Sequence, residues 1–197
     1  MVIINISSLL QVRSNTDLWV AGQEMAHVPV IDHAFLRFSG DIILEFGQMD
    51  DYVAQPDEEV VDADGGLVLP AFVDSHSHLV FAQTREQEFV EKIKGASYAE
   101  IAAKGGGILN SARKLQQLSE DELFERAMPR VEEVLRFGTA CLEIKSGYGL
   151  TPEDEVKMLR VARRIGAETP LTVKTTFLGA HAVPSEMSRE AYIAQVI

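Results

Sequence analysis

Residues 67–81 read LVLPAFVDSHSHLVF, and this stretch decides the fold. Leu67, Val68, Leu69, Ala71, Phe72 and Val73 form an apolar run broken only by Pro70, long enough for one strand covered on both faces. The run therefore predicts a central strand. Asp74, His76 and His78 follow at its end. Side chains in extended chain alternate between faces, so residues two apart project the same way and both imidazoles can reach one ion. Neutral imidazole is a common ligand for zinc or iron, and catalytic metals keep one position open for water. A bare His-x-His tripeptide is more often chance surface polarity. Its place directly after a buried strand favours a metal site formed by His76 and His78.

Downstream, residues 84–104 are polar and interrupted by Gly95, with Ser97 and Glu100 at capping-box spacing for a short helix over 98–103. Gly105-Gly106-Gly107 is ordinarily a flexible loop, although such a run also lets backbone approach a ligand. Ser119 and Glu122 form a second capping box, and Leu123, Ala127, Val131, Val134 and Leu135 then repeat at helical spacing up to Gly138. Residues 139–145, TACLEIK, return to strand and end in Ser146-Gly147-Tyr148-Gly149. Cys141, inside this apolar run, reads as a buried structural thiol rather than a nucleophile. Thr151 caps the next helix and Pro152 takes its first position. Val156, Leu159, Ala162 and Ile165 face one way before Gly166 stops it. A third strand, 171–178, runs into Gly179-Ala180-His181, and Ser188 caps a last helix.

Upstream, residues 2–12 and 33–47 are β-rich, and Ser39-Gly40-Asp41 divides the second into a hairpin. Residues 17–30 are ambiguous, and the acidic stretch 50–64 leads to Gly65-Gly66. A boundary is expected near residue 65, with a small β-sandwich-type module over 1–65 and an α/β segment over 66–197.

A net charge of −12 argues against a nucleic-acid partner, which draws on clustered Lys and Arg. No apolar run approaches the roughly 20 residues of a membrane helix, and the opening MVIINISSLL has no basic leader, so a cytoplasmic protein is expected. The single cysteine agrees with a reducing compartment.

Strand, helix, strand, helix, strand implies parallel strands with right-handed crossovers. A (β/α)₈ barrel gathers its site at the C-terminal ends of its strands, and here those ends carry His76 and His78, then Tyr148, then His181. One site is implied. A whole barrel takes about 250 residues. Residues 66–197 are therefore expected to be the N-terminal part of a TIM-like barrel, incomplete in this chain and inactive alone.

VDSHSHLVFAQTREQEF (73–89), GGGI (105–108), EIKSGYGL (143–150) and TFLGAHAVP (176–184) resemble the imidazolonepropionases, within the metal-dependent amidohydrolase superfamily. SGDIILEFG near residue 40 is similar to that superfamily's N-terminal β-module. Ala71, Ser75 and Ser77 depart from the residues usual there, and none of the three is a ligand.

The resemblance implies ring-opening hydrolysis of 4-imidazolone-5-propanoate to N-formimidoyl-L-glutamate. It implies His76 and His78 as ligands of one divalent metal, zinc or iron, and Arg85, Tyr148 and His181 as substrate contacts, with His181 also catalytic. Arg85 offers a planar fork suited to a carboxylate. Lys145 is read as structural rather than as a carboxylated bridge between two metals, and Asp74 as orienting a histidine ring. The family draws its remaining metal ligands from later barrel strands, and the first residues are expected to form a composite domain with a later segment. Two other readings stand beside this one: a non-catalytic binding or association module, and a related cyclic-amidine or purine deaminase. Self-association is left open.

Overall fold

The chain is described by a computed structural model covering residues 1–13, 19–184 and 187–197. It divides into two compact units, Met1–Pro70 and Ala71–Ile197.

The first unit is one five-stranded sheet. Strands β1 (Val2–Leu10), β2 (Val30–Ser39) and β3 (Ile42–Gln48) are antiparallel neighbours, and β4 (Val60–Asp62) and β5 (Leu67–Val68) both run parallel to β1. Ser39 pairs with Ile42 across Gly40-Asp41, and Gly40 adopts φ 53°, so the hairpin closes on a two-residue turn that needs a left-handed position. Ile6, Leu9 and Ala34 form the core, flanked by Ile3, Leu36 and Val68. Arg37, only 4% exposed, donates to Glu58 at 2.6 Å, pairs with Glu45 and lies over Tyr52. Within the ambiguous stretch the structure gives one 3₁₀ turn, Gly22–Ala26, while residues 14–18 lie outside the described residues.

The second unit carries three parallel strands in the order β6 (Phe72–Ser77), β7 (Thr139–Lys145), β8 (Thr172–Thr176). The capping boxes set the helices. Ser119 accepts the Glu122 N–H and Glu122 accepts the Ser119 N–H at the start of α4 (Glu120–Arg136), and Ser97 and Glu100 do the same for α2 (Tyr98–Ala103). Between α2 and α4 lies α3 (Ile108–Gln116), begun by Gly107 at φ 79°. Leu115, Leu123, Ala127 and Val131 pack with Leu142 and Ile144 of β7 and with Met158, Val161, Ala162 and Ile165 of α5 (Pro152–Glu168). The last helix, α6 (Arg189–Val196), starts at the Ser188 cap.

Four expectations need correction. The apolar run around Pro70 is two strands: Leu67–Val68 pairs with β1, and the strand leading to the histidines begins at Phe72. Among the described residues that strand pairs on one side only, with β7, leaving Phe72 and Val73 56% and 70% exposed. It is an edge strand here. Residues 86–93 form a helix, α1 (Glu86–Ile93), in a stretch read as merely polar. On α5 the buried face is Glu155, Met158, Val161, Ala162 and Ile165, Val156 is exposed, and the helix passes through Gly166 to Glu168. Gly166 serves contact rather than termination, since a Cβ there would stand 3.1 Å from Val173 Cβ on β8. Finally, Cys141 is half-buried. β7 packs only its Leu142 and Ile144 face against helices, while Cys141, Glu143 and Lys145 occupy the other.

Candidate active site

The strand ends of the second unit gather the predicted side chains. His78 is central, its ring centre 5.7 Å from His76, 5.2 Å from Tyr148 and 5.8 Å from His181, while Tyr148 and His181 are 6.4 Å apart. His76 lies in an irregularity of β6, where three steps from Asp74 to Ser77 match two on β7 from Leu142 to Ile144. The His76 N–H freed from the ladder donates to Asp74 Oδ1 at 3.0 Å. Asp74 thus fixes backbone, and among the described residues it accepts no hydrogen bond from a histidine ring, contrary to expectation. Ser77 Oγ then ties the strand end to the Glu143 carbonyl at 2.9 Å.

His78 is half-buried, and among the described residues its Nδ1 has no hydrogen-bond partner. Burial holds its pKa below the ordinary imidazole value, with the positive forms of His181 and His76 adding repulsion, and these outweigh hydrogen bonding to the backbone of Ser146 and Lys145.

From His78 the chain runs along the floor of a cleft. Leu79, Val80 and Ala82 are buried, and Arg130 of α4 donates to the Leu79 and Phe81 carbonyls at 3.0 Å each while stacking on the Phe81 ring at 3.8 Å. Arg126 adds a bond to the Ala82 carbonyl. These two arginines hold the segment that delivers Arg85. Arg85, its side chain 41% exposed, lies 3.8 Å from Glu88, whose other oxygen accepts the Gly107 N–H at 2.9 Å. The glycine run is thereby pinned rather than free. A cleft of about 310 Å³ is lined by His78, Phe81, Thr84, Arg85, Ser111 and Tyr148. Arg85 therefore faces the same space as His78 and Tyr148, the size of a small-molecule site. His76 and His181 border His78 rather than line that cleft.

Lys145 pairs with Glu143, which also accepts the Thr176 hydroxyl, so the lysine is engaged in a polar link across β7 and β8. The carboxylate of Glu143 is held below the usual range, chiefly by Lys145 and then by Thr176. Among the described residues no cluster of three or more His, Cys, Asp or Glu side chains comes together that could hold a metal.

Sequence reasoning missed Glu155. Its carboxylate is fully buried at the first turn of α5 and accepts the N–H groups of Gly147 at 2.5 Å, Gly149 at 2.7 Å and Leu150 at 2.9 Å. The available signal was a charge on the apolar face of a helix, three residues before Met158 and six after Gly149 of Gly-Tyr-Gly.

Three parallel strands joined by helices, with site residues at their C-terminal ends, are the arrangement of part of a (β/α)₈ barrel. Among solved structures the fold is similar to 5-methylcytosine deaminase from Klebsiella pneumoniae liganded with 5-fluorocytosine, at TM-score 0.57 and 18% identity over 91% of this chain and 36% of that one. In sequence the chain resembles the imidazolonepropionases. It is 49% identical to that of Flavobacterium johnsoniae over 98% of this chain, and 47% identical to that of Christiangramia forsetii over 100% of it. The chain spans 47% and 48% of the length of those curated relatives. No family model matches.

Proposed function

We propose that the complete gene product hydrolyses the cyclic amide C–N bond of 4-imidazolone-5-propanoate, giving N-formimidoyl-L-glutamate, with His76 and His78 as two ligands of one divalent metal, zinc or iron. The observation that carries this reading is the gathering of His76, His78, Tyr148 and His181 beside a cleft that Arg85 lines. The resemblance to imidazolonepropionases over nearly the whole chain supports the choice of substrate.

The histidine pair fits a shared ion. Two imidazoles bound at about 2.1 Å each have ring centres no more than roughly 6.5 Å apart, and these are 5.7 Å apart. The buried Nδ1 of His78, without a hydrogen-bond partner among the described residues, is open to an ion, and burial favours the neutral ring that a metal binds. A catalytic zinc keeps three protein ligands, so the site takes more from residues other than this pair. When bound, the ion supplies Lewis acidity toward the ring carbonyl and a nucleophile drawn from water at neutral pH.

The chain's own groups do the rest. Arg85 holds the propanoate carboxylate through its planar fork, exchanging the long contact with Glu88 for a bidentate one. Tyr148 hydrogen-bonds the ring and fixes its orientation over His78. His181 stabilises charge developing on the carbonyl oxygen and moves a proton as the C–N bond breaks. The substrate is a small molecule, the setting cytoplasmic, and neither nucleic acid nor membrane is a partner.

The test identifies the product formed from imidazolonepropanoate by the complete gene product. Formiminoglutamate without ammonia release supports ring opening. Ammonia from a purine or cyclic amidine, with imidazolonepropanoate untouched, favours the deaminase reading instead.

A further inference from the structure

We propose that Glu155 is a positioning residue for this site, acting through the Ser146–Leu150 loop that carries Tyr148; the inference rests on the proposed function for its kinetic consequence. A carboxylate buried without a cation is costly, and here the described contacts compensate it with three backbone N–H donors and no Lys or Arg. The other buried positions of α5 are apolar, so helix packing alone does not call for a charge at 155.

The loop explains it. Gly147 adopts φ 121° and Leu150, a buried branched residue, φ 60°, in the region that disfavours side chains. A side chain at Gly149 would overlap the backbone of Asp154 and Glu155. Glu155 spans this strained turn from below, one oxygen on Gly147 and the other on Gly149 and Leu150, so Tyr148 projects from between two anchored neighbours. Gln116 of α3 adds a bond to the Gly149 carbonyl at 2.8 Å.

The same turn reaches the next strand end. Ser146, fully buried, donates its N–H to Thr176 and accepts the Leu178 N–H on Oγ at 2.9 Å. A Cβ on Gly147 would stand 3.3 Å from His181 Cβ, so the backbone at 147 bounds the place of that ring. Arg85 reaches the cleft on a different segment, the one held by Arg126 and Arg130. Glu155 therefore governs the Tyr148 and His181 side of the site and leaves the Arg85 side alone.

Glu155→Gln keeps the shape but turns one acceptor into a donor facing an N–H; Glu155→Asp keeps the charge and shortens the reach. In the complete gene product, E155Q is expected to lower kcat by about tenfold to a hundredfold with KM and metal content within about threefold of wild type. Amide exchange at Gly147, Gly149 and Leu150 should quicken, and the Tyr148 ring resonances should shift. E155D should recover part of kcat, and it replaces E155Q in every comparison if E155Q does not fold. A kcat within twofold of wild type despite faster loop exchange overturns the proposal, and so does parallel loss of kcat, metal and folding in both variants. If the wild-type protein does not turn over imidazolonepropanoate, the functional reading fails separately, and the Tyr148 resonances decide: shifted in E155Q they support positioning, unshifted they overturn it.

Discussion

His78 and Tyr148 stand edge to face, with ring centres 5.2 Å apart and planes at 69°. The two residues belong to different strand ends, so their contact fixes the spacing between the first and second loops of the barrel. A tilted aromatic pair of this kind contributes about 0.5–1.5 kcal/mol beyond its buried area. Replacing Tyr148 with Phe keeps the ring and removes the hydroxyl. The expected result is unchanged thermal stability with kcat/KM for imidazolonepropanoate lowered by about tenfold or more, one hydrogen bond's discrimination.

Arg85 separates substrate affinity from metal binding. Arg85→Lys keeps the charge and loses the fork, so KM should rise about tenfold while metal content stays at the wild-type level. Metal analysis and steady-state kinetics on one preparation check this. Equal loss of metal and activity would remove Arg85 from the carboxylate role.

His78→Asn should lower metal affinity by at least about tenfold, because an amide is a poorer donor than neutral imidazole. Competition against a metal-binding dye measures it. Retention of wild-type affinity would take His78 out of the ligand set.

In the first unit the Arg37 and Glu58 pair makes folding pH-dependent. Glu58 sits below its ordinary value of 4.5, chiefly through its bond with Arg37. A depressed carboxylate stabilises the folded form at pH above the unfolded value, and that contribution is lost as pH falls through the folded pKa. Glu58→Gln should therefore destabilise the protein at pH 7 and match wild type once the pH is well below 4.5. Denaturant midpoints across that range test the closing gap.

Local signals in the sequence carried much of this architecture. Ser119 with Glu122, and Thr151 with Pro152, state where helices begin because a cap needs only neighbours along the chain. The apolar run in TACLEIK, bounded by Gly138 and by Ser146-Gly147, marked β7 for the same reason. What was not legible depends on partners far along the chain. Whether Phe72 is covered depends on which strand lies beside it, and Leu67 looked continuous with Phe72 although its hydrogen bonds go to β1. Helix α1 escaped notice because its apolar residues, Phe89, Val90 and Ile93, are exposed and interleaved with charges, giving no buried stripe to read. In the site, residue types and strand-end positions pointed to His76, His78, Tyr148 and His181. Glu155 was hidden by its role, since an acidic first turn reads as ordinary complement to the helix dipole.

The measurement that tests the central claim most directly is turnover of imidazolonepropanoate by the complete gene product, stripped of metal with a chelator and titrated with zinc or iron(II) while bound ion is counted on the same samples. Activity should be absent in the stripped protein and rise in proportion to bound ion, levelling at about one per chain, the single-ion site a hydrolytic metal needs. Full activity in metal-free protein, or none at full loading, would contradict the account.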